Sequence, residues 1–187
     1  DMNTFGFIAR GDARAANDVL SRHALRELGA GITSCTEATA SAELAAWASD
    51  VAADRGVVVA LRGSPMWARP FGEPSRRADA AGLLKAYLQA GNDAVSRLAG
   101  RFAVAILDGV SGRAVLALDP MGIERLAYSS TSDLLVFGSS AEAVATSPGI
   151  EAGLSRQALF NYLMLHMVPA PDTIFTGVHK LRAGHMA

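Results

Sequence analysis

Few residues in this chain have the chemistry to act as nucleophile, base, acid or metal ligand: one cysteine, four histidines, and some carboxylates and arginines beside turns. Cys35 is a candidate nucleophile only if a neighbour lowers its pKa. It lies in TSCTE, which reads as a helix entry, and no His or Lys is spaced to activate it, so a structural thiol is the simpler reading. His23, His166, His179 and His185 have no metal-ligand spacing, and no metal site is expected. His23 reads as a solvent-facing helix residue. His166 reads as a helix-end residue, where partial positive charge is favoured. Asp108 and Asp119 look like a carboxylate pair for acid–base work. Each ends an apolar run at a turn, however, where Asp commonly binds the turn's own backbone. Arg62 follows VVVAL and precedes Gly63. It could bind an anion, but a surface arginine beside a loop is the simpler reading.

Bulk properties narrow the classes. The 187 residues suit one domain, or one domain and the start of another. Half the residues are hydrophobic and 19% are charged, enough apolar content for a proper core. A net charge of −1 leaves no electrostatic footprint for nucleic acid or an anionic membrane. The apolar runs VVVAL and FAVAIL are strand-length, too short to span a bilayer, and no signal-peptide pattern opens the chain. A single cysteine excludes a disulfide framework, so a cytoplasmic setting is expected.

The elements that must position these residues follow from periodicity. TFGFIAR reads as a strand near the start. Residues 12–28 read as a helix with Leu20, Ala24 and Leu28 on one face. Ser34 and Glu37 have capping-box spacing, and Leu44, Ala48 and Val51 would stripe a second helix. VVVAL (57–61) is a buried strand, 63–74 a loop, and Leu83, Leu84, Tyr87 and Leu88 mark a helix ending near Gly91. FAVAILD, RAVLALD, LAYSS and LLVFGSS read as a four-stranded antiparallel meander, apolar on both faces and therefore covered on both. Ser155 caps a helix to about Met167 with Leu159, Phe160 and Leu163 on one side; Pro169 and Pro171 end it. A layered α+β sandwich is expected.

The run from Leu83 to Ser140 resembles the N-terminal glutaminase-type domain of the asparagine synthetase family, the class II glutamine amidotransferases. The family's Tyr-containing helix and Gly correspond to Tyr87 and Gly91. Its "rL-G-FA-ai-D" strand corresponds to Leu98–Ala103 and Asp108. Its "RD-GIKPLYY" corresponds to Asp119–Tyr128, and "FASE" to Phe137–Ser140. NYLMLHMVPAPDTIFTGVHKLRAGH is similar to the family's "yL-GyvP-P-TIF-GV-KLPPGH" connector, which precedes an ATP-using synthetase domain. The match is strong over 79–185 and weak over 4–10.

The resemblance implies an αββα four-layer sandwich of two antiparallel sheets between helices, of the N-terminal-nucleophile hydrolase type. It implies an amidotransferase-like domain over 4–150 and a connector over 151–187. Active members begin Cys-Gly-Ile-Ala-Gly, the Cys supplying the thiolate and its own amine as base. Here Phe5-Gly6-Phe7-Ile8 stands in that place, with Phe5 at the nucleophile position. The Asn-Gly pair that stabilises the oxyanion is Arg62-Gly63. "SDTE" survives only through Asp79, which could still bind an amino group, and the glutamine-carboxylate Arg has no counterpart. The expectation is therefore a vestigial pocket of Phe5, Gly6, Arg62, Gly63 and Asp79 with no catalytic residue. The parent is expected to be an amide-forming ligase of asparagine synthetase, β-lactam synthetase or lasso-cyclase type. ATP and Mg would belong to a synthetase domain outside this chain, which has no "SGG-DS" pyrophosphate loop. That domain is the expected partner, and family members often dimerise. The competing reading is a non-catalytic scaffold or peptide-docking module. An apolar face on the 155–167 helix would be exposed if its partner domain were absent.

Overall fold

The computed structural model of the protein describes residues 5–10, 33–38, 42–48, 50–68 and 76–187. Two antiparallel sheets face each other. The first holds six strands: β1 (Phe5–Arg10), β2 (Thr33–Ala38), β3 (Ala42–Ala48), β9 (Ala127–Ser130), β10 (Leu134–Gly138) and β11 (His179–Lys180), in the order β11-β9-β10-β1-β3-β2. The second runs β4 (Asp50–Asp54), β5 (Val57–Trp67), β7 (Leu98–Asp108) and β8 (Arg113–Leu118), with β6 (Arg76–Arg77) paired to the end of β5.

The period-two alternation of a strand sorts side chains into layers. Val58 and Ala60 of β5, with Ala103, Ala105 and Leu107 of β7, meet Phe137 and Leu126 between the sheets. The alternate residues Val57, Val59, Leu61, Val104 and Ile106 face outward. There they are covered by α1 (Ala80–Ala90) and α2 (Asp93–Ser96), chiefly through Leu83, Leu84, Ala94 and Val95. Across the molecule α3 (Ala141–Ala145) lays Val144 on Ala127 and Val136 of the first sheet. Helices on both outer faces give the four-layer αββα order expected. Strands apolar on both faces, such as FAVAILD, require it.

Several sequence expectations need correction. The stretch read as a helix from Ser34 to Val51 forms β2, β3 and β4. Its alanines favour helix locally, but β3 is held in register by β1 on one side and β2 on the other, and pairing outweighs propensity. Cys35 accordingly lies in a strand, opposite Ala46, and not at a helix entry. The presumed loop from Gly63 continues β5 to Trp67, paired with Leu98–Phe102 of β7. The four-stranded meander is two hairpins in different sheets: β7–β8 in one, β9–β10 in the other. The 119–126 segment crosses between the layers. The helix expected at 12–28 lies outside the described residues. The last helix, α4 (Arg156–Leu165), is capped by Ser155 as expected, with Ala158 N donating to its Oγ at 3.2 Å, and ends at His166 in the left-handed conformation.

Candidate functional site

Arg62 is the sixth residue of β5 and sits opposite Ala103, whose side chain belongs to the core between the sheets. By strand alternation Arg62 continues the row of Val58 and Ala60, so its guanidinium lies at the end of the central layer. Its side chain is only 20% exposed, and its Nε lies 3.0 Å from Oε2 of Glu124, which is 7% exposed. Arg101 of β7 approaches the other oxygen, Nε to Oε1 at 3.2 Å. Arg62 is therefore not the surface arginine the sequence suggested: it is the more buried arm of an Arg–Glu–Arg cluster centred on the buried Glu124.

The turn that delivers Glu124 is built by Asp119, which is fully buried. Its Oδ1 accepts from Met121 N at 3.0 Å and Ile123 N at 3.1 Å, and its Oδ2 accepts from Glu124 N at 3.0 Å. Three backbone donors consume the carboxylate, the turn role expected of it. Asp108 acts likewise, accepting from Val110 N at 3.0 Å and Ser111 N at 2.9 Å. Burial pushes its carboxyl pKa up, but hydrogen bonds from Ser111, Val110 and the Tyr87 hydroxyl outweigh burial and hold it below the ordinary carboxylate value. Burial raises the Tyr87 phenol, and the Asp108 charge raises it further. Asp108 and Asp119 thus serve separate turns and do not form a catalytic pair.

Gly63 follows Arg62 with φ of 101°, and a Cβ there would collide with the Arg101 carbonyl oxygen. Only glycine suits a backbone that is both left-handed and this close to the neighbouring strand. Asp79 is the N-cap of α1: its Oδ1 accepts from Gly82 N at 2.8 Å, while Asp50 Oδ2 takes Ala80 N at 2.8 Å. No ion pair or hydrogen bond among the described residues joins Asp79 to Arg62. Phe5 opens β1 in register with Gly138 and Trp47, and Gly6 with Phe137 and Ala46. The five sequence-predicted positions are therefore distributed over both sheets and the cap of α1, with only Arg62 and Gly63 contiguous outside β1.

Sequence reasoning missed Glu124 and Arg101. The signal was present: Glu124 stands where the "GIKPLYY" motif writes Lys, and Arg62 stands where the family writes Asn. One position gains a positive charge and the other exchanges positive for negative, and the two meet at 3.0 Å. Among the described residues no group of His, Cys, Asp and Glu is arranged to hold a metal ion, and no helix is long and apolar enough to cross a membrane.

The structure is a four-layer αββα sandwich of two antiparallel sheets, with the Arg62-Gly63 pair inside β5 of the second sheet. The model of the glutamine amidotransferase domain matches residues 73–187, and the chain belongs to that family. A putative glutamine-hydrolysing asparagine synthetase from Mycobacterium bovis is 30% identical over 119 residues, covering 58% of this chain and 17% of the relative. Asparagine synthetase 3 (glutamine-hydrolysing) of Bacillus subtilis is 31% identical over 111 residues, covering 59% of this chain and 18% of that protein. The matched region is thus less than a fifth of the length of these relatives. The glutamine phosphoribosylpyrophosphate amidotransferase of B. subtilis, solved with ADP and GMP, matches 75% of this chain and 42% of its own, at 14% identity and a TM-score of 0.49.

Proposed function

We propose that this chain is the amidotransferase-like first domain of a larger ATP-dependent, amide-forming ligase of asparagine synthetase type, and that it does not itself hydrolyse glutamine. Residues 4–150 form the domain and 151–187 the connector. The observation that carries the loss of hydrolysis is the state of Arg62. An oxyanion site needs a neutral or free donor aimed at the developing charge. Here the side chain at that position is committed to Glu124 at 3.0 Å. Phe5 at the nucleophile position supports the same reading, since a phenyl ring has no lone pair with which to attack an amide carbon. The parent then takes free ammonia, or an amine already in its substrate, as in β-lactam synthetases and lasso cyclases. ATP and Mg act in the synthetase domain; this chain's sequence carries no pyrophosphate loop for them.

The domain's own role is to dock on that synthetase domain. The exposed face of α4, with Phe160, Leu163 and Met164, supports this reading. Calorimetric titration of the chain with glutamine tests the loss of the site. No saturable heat is expected, and a micromolar Kd contradicts the proposal.

A further inference from the structure

A cleft of about 850 Å³ opens between the 118–127 segment, the start of α3 and the 167–183 strap. Much of its wall is apolar, formed by Leu118, Leu126, Met167 and Leu181, and three charged side chains reach it: Glu124, Arg125 and Lys180. Glu124 has both oxygens engaged by Arg62 and Arg101, so it brings no unanswered negative charge. Arg125 is exposed and has no ion pair among the described residues. The Lys180 ammonium donates to the Val168 carbonyl at 2.6 Å and has no carboxylate at ion-pair distance among the described residues. Burial, and then the nearby Arg125 charge, hold the Lys180 pKa below the ordinary lysine value, and the weaker pull of Asp172 does not restore it. Two like charges at a partly dry cleft oppose each other, and Lys180 has also given up water. An anion between them relieves both penalties. The size is that of clefts that take small organic ligands, which are mostly apolar with a few convergent polar groups.

We propose that this cleft binds a small molecule bearing a carboxylate on an apolar body, the carboxylate between Arg125 and Lys180 and the body against Leu118, Leu126 and Met167. The cleft shares Glu124 with the Arg62 cluster, and Asp79 is not part of its lining.

Octanoate is a suitable probe, with octanol and octylammonium as controls of matched length. Calorimetry gives the affinities, and amide NMR shifts at Arg125, Lys180 and Leu181 locate the binding. Octanoate is expected to bind saturably and at least about tenfold more tightly than octanol, with octylammonium weaker still. Arg125→Gln alters an exposed side chain and leaves the fold intact; it is expected to weaken octanoate about tenfold. Lys180→Met is expected to do the same. Equal binding of octanoate and octanol, unchanged affinity in Arg125→Gln, or amide shifts centred elsewhere would each overturn the proposal.

Discussion

Helices α1 and α4 are nearly the same length, and each begins with a side-chain N-cap, yet they sit in the molecule in opposite ways. α1 drives Ala80, Leu83 and Leu84 into the outer core of the second sheet. α4 buries only Ala158 and leaves Leu163 74% exposed, with Phe160, Met164 and Met167 beside it. Both sequences are apolar enough to predict packing. Capping and periodicity start a helix, but they do not say what covers it. α1 is a layer of this fold. α4 is held at its N-terminal end, by Ser155 N donating to the Ile174 carbonyl at 2.9 Å and by the Leu154–Phe175 bridge, while its apolar face is exposed.

Substitutions can break or sharpen this contrast. Leu83→Ala removes a side chain with no exposed surface and should cost about 2–5 kcal/mol in urea denaturation. A smaller loss would mean that α1 is not an integral layer. Glu124→Ala strands two guanidiniums and should cost about 3 kcal/mol, the lower end for a broken buried pair because Arg101 is half exposed. Next come the caps. Asp79→Ala should lower global stability by about 1 kcal/mol. Ser155→Ala should leave the denaturation midpoint nearly unmoved and instead speed amide exchange in α4, because little core depends on that helix. Equal effects of the two on the midpoint would erase the distinction.

Acid should act weakly through Asp108. Its folded pKa is depressed, so its contribution is present above about pH 4, the unfolded carboxylate value, and is lost as pH falls through the lower folded value. Tyr87→Phe should flatten that part of the stability–pH curve. The smallest effect is expected from Leu163→Ala, within about 0.5 kcal/mol in this chain.

The part of the fold that was legible in the sequence is the part where both faces of a strand are buried. FAVAILD and RAVLALD carry no polar alternation, which predicts a sheet covered on both sides. Gly91 and Ser155 mark helix ends by residue type alone, whereas Asp79, read for its carboxylate, proves to be the N-cap of α1. The stretch from Ser34 to Val51 misled because alanine is small enough to fit either a helix stripe or a strand, and only the pairing of β3 with β1 decides between them. The two hairpins read as one meander because local spacing does not report that the 119–126 turn changes layers. Arg62 was visible as a departure from the family pattern. Its burial was not, because that depends on a carboxylate supplied by a distant turn.

The account turns on whether the site at the end of the central layer can still cut an amide. Glutamate release from glutamine, measured enzymatically on this chain beside its Cys35→Ala variant, tests this most directly. The account predicts that both match the buffer blank. Turnover by the chain that disappears in the Cys35→Ala variant would contradict it, because the thiol on β2 would then be doing the work that Phe5 cannot.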